Sequence, residues 1–138
     1  MVCIRNSLAA LAISVCAMAA MASPSTAQAP DAAAPAAAQS GGEEAFNNAC
    51  RTCHSVKPGD NRLGPSLSGI TGKKAGSSDG FAYSQSLKNS GVTWDAKTLD
   101  AFIANPDALV PSNNMKPDTG ISDAALRAKI VAYLEGAK

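Results

Sequence analysis

The stretch Cys50-Arg51-Thr52-Cys53-His54 constrains this chain more than any other. Two cysteines separated by two residues, with a histidine directly after, supply two thiols for thioether bonds to a haem and an imidazole for its iron. On one helical turn both sulfurs reach the same edge of a porphyrin, and the next side chain points at its centre. His54 is the only histidine in the chain, so a bis-histidine haem is excluded, as is a zinc site built on two imidazoles. The same cysteine spacing occurs in zinc half-sites and redox disulfides. A zinc site would lack partners here, because Cys3 and Cys16 lie in an apolar leader and leave no fourth soft ligand beside Cys50, Cys53 and His54. A thioredoxin-like disulfide wants a βαβ setting, and no strand-rich unit surrounds the motif.

A chain of 138 residues holds one domain, and its hydrophobic share of 46% is inflated by alanine. With only 4% aromatic residues, a domain of this size has a marginal core of its own. A buried haem would make up the shortage. The formal net charge is +1, and Arg5 sits in the leader, so the processed chain is near neutral. That argues against nucleic acid or a membrane surface as partner.

Met1 to Arg5 is a short positive start, followed by an uncharged apolar run from Leu8 to Met21. This is the pattern of a secretory signal peptide, and the run falls short of the ~20 apolar residues of a comfortable transmembrane span. Cleavage after Ser25-Thr26-Ala27 is expected, giving a leader over 1–27, with Ala20-Met21-Ala22 as the alternative. Retention as an anchor is the competing outcome for the leader. Residues 28–42 read QAPDAAAPAAAQSGG, which buries nothing and predicts a disordered spacer before a domain over 43–138.

A helix is expected to start at Glu43, with its two carboxylates in the first turn, and to end in the cysteine motif. From Pro58 to Gly76 the chain is punctuated by Pro and Gly and reads as loop. A short helical piece is expected around Ala82 to Lys88. Thr93 is the expected cap of a helix carrying Leu99, Phe102 and Ile103, which stops before Asn105-Pro106. A loop from Pro106 to Gly120 carries Met115. Ser122-Asp123 caps a last helix with Leu126, Ile130, Tyr133 and Leu134 on one stripe. The fold class is therefore all-α, about three to five helices with long loops.

From Gly42 onward the chain resembles class I c-type cytochromes, most closely bacterial ones of the mitochondrial cytochrome c type. The resemblance rests on GEEAFNNACRTCHSV, RLGPSLSGITGKKAGS, GFAYSQSLKNSGVTW, FIANP, a proline-led loop reaching a methionine, and a terminal IVAYL. It implies the class I cytochrome c fold around one covalently bound haem c. By its chemistry alone Met115 is as well read as gap-filling core. The resemblance implies instead that its sulfur is the sixth iron ligand, opposite His54, and it is the only methionine outside the leader. The resemblance also implies that the Pro65 carbonyl accepts the ring N–H of His54, and that Lys73, Tyr83, Trp94 and Asn113 meet the haem propionates. For Tyr83 and Trp94 ordinary packing with a satisfied polar tip remains open. Phe46 and Tyr133 match an aromatic pair where the first and last helices cross. Two departures stand out: Pro117 replaces an aromatic residue near the distal ligand, and Leu87 replaces an asparagine beside the propionates. Of the lysines that ring the haem edge in mitochondrial relatives, only Arg62 and Lys116 keep a positive sign, against Ala49, Thr52, Asn114 and Ser122.

A His/Met haem exchanges electrons and offers no open iron position. The implied function is a soluble periplasmic one-electron carrier, a monomer with unidentified redox protein partners, not an enzyme, and with no membrane span after processing. The alternative is a cytochrome subunit of a periplasmic dehydrogenase complex, or a haem peroxidase with a labile distal ligand.

Overall fold

The computed structural model describes residues 33–138, and its elements are five helices: α1 (Ala33–Ala49), α2 (Gln85–Lys88), α3 (Ala96–Ala104), α4 (Pro106–Leu109) and α5 (Ala124–Gly136). The expected leader over 1–27 and the first residues of the expected spacer lie outside the described residues. No described helix is long and apolar enough to cross a membrane.

The expected helical onset at Glu43 is corrected, because α1 already begins at Ala33. Alanine is the best helix former, and Pro35 sits in the first turn, where its missing N–H has no intrahelical partner to lose. The stretch from Ala33 to Gly42 is therefore part of the helix in this structure. Glu43 and Glu44 lie on its exposed side, well past the first turn, so the dipole argument made for them does not apply.

Gly42 explains how α1 meets α5. A Cβ there would lie 2.7 Å from the Lys129 carbonyl oxygen and 2.8 Å from the Tyr133 Cβ, so only glycine lets the helices approach this closely. One turn on, Phe46 packs against Tyr133 with ring centroids 5.4 Å apart and a tilt of 42°. Burial, and after it the nearby Glu43, push the Tyr133 phenol up. Ala45, Phe46, Ile130, Val131 and Leu134 close the crossing, and Leu99 with Trp94 and Ile70 extend the same core. Val131 is buried beside Ile130, whereas Leu126 and Tyr133 of the expected stripe are only partly covered.

The N-cap of α3 is Asp95, not Thr93. The Asp95 carboxylate accepts from Thr98 N–H at 2.7 Å, and Asp95 N–H donates to Thr98 Oγ1 at 2.8 Å, a reciprocal capping box. Thr93 sits in an isolated antiparallel bridge to Lys74 instead. Around that bridge Gly72 N–H donates to Trp94 O, Trp94 N–H to Lys73 O and Ala75 N–H to Val92 O, so residues 72–75 are laced to 92–94.

Asn105 ends α3 and at once caps α4 through Ala108 N–H, with Pro106 buried at its first position. The loop expected from Pro106 onward thus begins as a helical turn. At the loop's far end Gly120, at φ +101°, brings the chain back to α3, where Ile121 N–H donates to Ile103 O at 2.8 Å. A Cβ on Gly120 would lie 2.7 Å from the Ala104 carbonyl carbon. Asp123 then caps α5 by accepting from Ala125 and Leu126 N–H.

Candidate haem-binding site

The cysteine motif is a turn closed on its own carbonyl. Cys50 N–H completes α1 by donating to Phe46 O, and Cys50 O then accepts from both Cys53 N–H at 3.0 Å and His54 N–H at 2.9 Å. This doubling back brings Cys50, Cys53 and His54 onto one short arc, with both thiols free and half-buried. Burial pushes the Cys50 thiol up to about 11, with the Asp118 carboxylate and Cys53 adding to the effect.

A second segment is zipped onto the arc. Gly64 N–H donates to Cys53 O at 2.8 Å and Leu67 N–H to Ser55 O at 2.7 Å. Between these two bonds the His54 Nδ1 lies 2.8 Å from the Pro65 carbonyl oxygen. A carbonyl can only accept, so Nδ1 carries the proton and Nε2 keeps its lone pair for a metal. Gly64 lies against the ring: a Cβ there would come within 2.7 Å of Nδ1 and 2.8 Å of Nε2. Burial lowers the His54 pKa, opposed by the Pro65 hydrogen bond and by Asp118. The net shift favours the neutral imidazole, which is the form that binds iron.

Met115 arrives on the loop after α4, half-buried, its N–H donating to Asn113 Oδ1 at 2.8 Å. Ser86 of α2 fixes the loop from outside by donating to Ser112 O at 2.7 Å. Asn113 is 4% exposed and has no free amide hydrogen: Nδ2 donates to Val110 O at 2.9 Å and to Asp107 Oδ1 at 3.0 Å. Within the protein the Asn113 side chain thus organises the Met115 loop.

The other residues implied for the propionates are Lys73, Trp94 and Tyr83. Lys73 and Trp94 are neighbours through the backbone bridge, with Trp94 buried edge-on against Phe102 at 5.1 Å. The Lys73 ammonium donates to Ser68 O at 2.8 Å, which leaves two of its three hydrogens for other acceptors. It borders a polar cavity of about 330 Å³ shared with Asn61, Ser66, Ser68 and Asp79. Tyr83 lies on the approach to α2, half-buried and edge-on to Phe81 at 4.9 Å. Leu87 on α2 packs against the core, and Pro117 is exposed.

Three residues escaped the sequence reading. Gly64 was only a loop glycine there, although its position directly before Pro65 marks a close approach. Asp118 acts on both Cys50 and His54 from the loop beyond Met115, and no spacing could have revealed that. Asp107 follows a helix-starting Asn-Pro pair, a usable signal for where its side chain sits.

The paired thiols, the neutral imidazole with a free Nε2 and the fixed thioether loop fit a covalently held haem. A family profile described as Cytochrome c matches residues 39–138. The chain is similar to cytochrome c2 iso-2 of Magnetospirillum fulvum, 43% identical over 86 residues that make up 62% of this chain and 88% of that protein. It is similar to cytochrome c2 of Blastochloris viridis, 40% identical over 105 residues, 74% of this chain and 81% of the other. Among solved structures it resembles cytochrome cH from Methylobacterium extorquens, with a TM-score of 0.65 and 41% identity, covering 71% of this chain and 97% of that one.

Proposed function

The chain belongs to the cytochrome c family, and on that premise we propose that it works in the periplasm as a one-electron carrier whose single haem iron lies between His54 and Met115. It is an electron-carrying cytochrome with covalently bound haem c, works with redox partners and is not an enzyme. The haem, when bound, supplies a reversible one-electron couple. The observation that carries the ligand assignment is the His54–Pro65 hydrogen bond at 2.8 Å inside the cysteine turn. It orients Nε2 and raises its basicity.

Cys50 and Cys53 hold the cofactor through thioethers, so it survives a compartment with no means of replacing it. Where the haem would meet the apolar core that buries Phe46, Ile70 and Leu99, the extra charge of ferric iron would be disfavoured. The soft Met115 sulfur acts in the same direction, raising the potential relative to a bis-histidine site. A peroxidase needs a vacant or labile distal position, whereas here the Met115 backbone is pinned by Asn113. Export rests on the leader pattern over 1–27, from its positive start to Ser25-Thr26-Ala27.

Optical spectra of the purified oxidised and reduced protein test the site, with mass spectrometry alongside. One added haem mass, resistant to acid acetone, and a sulfur-to-iron charge-transfer band in the oxidised form are expected. An unaltered polypeptide mass, or an oxidised spectrum without that band, overturns the assignment. The mass also fixes the processed N-terminus. A start upstream of Cys16 means that the leader is kept as an anchor and the carrier is tethered.

A further inference from the structure

We infer that Asp107 is a positioning residue for the distal ligand, a single carboxylate that clamps the Met115 loop from both sides. The inference rests on Met115 being that ligand. Asp107 Oδ1 accepts from Asn113 Nδ2 at 3.0 Å, two residues before Met115, and Oδ2 accepts from the Lys116 ammonium, one residue after it. Asn113 passes the constraint inward, since its Oδ1 takes the Met115 N–H at 2.8 Å and its remaining amide hydrogen is tied to Val110 O. Val110 is 2% exposed, so that anchor is part of the core.

The carboxylate itself is held by local structure. Asp107 is the second residue of α4, whose N-terminus is fixed by the Asn105 cap and by buried Pro106. The loop between Val110 and Met115 has little regular structure of its own, and Ser112 there adopts a φ of +60° that favours residues other than serine. Without the clamp, the hydrogen bonds that join it to the core among the described residues are those of Asn113 with Val110 and of Ser86 with Ser112. A charge-assisted bond contributes more than a neutral one, and two to the same carboxylate also fix its rotamer. The clamp therefore sets how often the Met115 sulfur leaves the iron, separately from whether the domain is folded.

The test uses the holoprotein and reads loop opening directly. In ferric protein, cyanide or imidazole binds only after Met115 leaves, so its apparent affinity reports the open fraction. Asp107→Ala is expected to raise that affinity about tenfold, the scale of one lost hydrogen bond to a charged group. Asp107→Asn, which keeps the shape and an acceptor for Asn113, should give a smaller rise. The charge-transfer band should fade on warming below the temperature of helix loss, and amide exchange at Met115 should accelerate. Asp100→Ala is the control: it breaks a comparable ion pair, Arg127–Asp100 at 2.7 Å between α5 and α3, and should lower stability with cyanide affinity unchanged. If Asp107→Ala does not fold, Lys116→Gln removes one arm and should still raise affinity severalfold.

A wild-type protein with the band, but with affinity and Met115 exchange unmoved in Asp107→Ala and Lys116→Gln, overturns the clamp and leaves the ligand assignment standing. A wild-type protein without the band overturns both.

Discussion

At the scale of single residues, the proposed axial pair is held by atoms that are not themselves ligands. His54 owes its tautomer to the Pro65 carbonyl and its place to the absence of a side chain at Gly64. Gly64→Ala should therefore displace the ring from Pro65, lowering haem incorporation and shifting the potential of whatever holoprotein forms. Voltammetry beside the haem-to-protein absorbance ratio checks it, and an unchanged potential at full loading would show that the loop simply moves aside. On the other face, Met115→His should lower the potential and Met115→Ala should open the iron and add peroxidase activity. A potential that stays put in Met115→His would remove Met115 from the iron. The cysteines, His54 and Met115 stood out as candidates in the sequence because ligation needs particular atoms that few residues carry. Asp118, Asp107 and the internal bonding of Asn113 did not, because they depend on where a loop folds back.

At the scale of elements, two helix starts were misplaced for related reasons. Local pattern gave Thr93 and Glu43. The structure has Asp95, whose carboxylate makes a stronger cap opposite Thr98, and Ala33, because alanine continues a helix even without an apolar face. The heptad-like spacings of Leu99, Phe102 and Ile103 and of Ile130 and Leu134 located α3 and α5 correctly, since burial imposes that period. Gly42 was visible only as part of a low-complexity run, and it is the point on which the α1–α5 crossing closes. Gly42→Val should cost about 1–3 kcal/mol by overpacking against Lys129 and Tyr133, readable as a fall of several degrees in Tm. A Tm unchanged from wild type would mean that the crossing is looser than drawn. The Asp95 carboxyl is held below its ordinary pKa, first by Thr98 N–H and then by the Thr98 hydroxyl. A group whose folded pKa is depressed stabilises the fold above its unfolded pKa, and that contribution fades as pH falls through the folded value. Asp95→Asn should therefore lose stability at neutral pH and converge with wild type in acid. Parallel curves at every pH would refute the cap.

At the scale of the whole molecule, charge compensation decides how the protein meets its partners. The chain is near neutral outside the leader, and both cations expected near the haem edge are paired, Arg62 with Asp60 at 3.0 Å and Lys116 with Asp107. Paired surface charges project little field, and what remains is screened over about 8 Å at physiological ionic strength. Contact must then come from apolar surface. Leu63 is 78% exposed, next to Arg62 and Gly64 on the segment zipped to Cys53, so it stands beside the attachment turn. Electron exchange with the natural partner should slow by a factor of about two to three from low to high salt, rather than by the orders of magnitude that electrostatic steering supplies. Leu63→Ser should slow it about tenfold at any salt, as expected from losing one well-buried apolar contact. Arg62→Ala and Lys116→Ala together should change the salt slope little. Stopped-flow rates across the salt series decide between these outcomes. A steep slope that persists in the double variant would move the docking face to Lys57, Lys73, Lys74 or Lys88, cations with no salt bridge among the described residues, and with it the exposed edge through which the electron leaves.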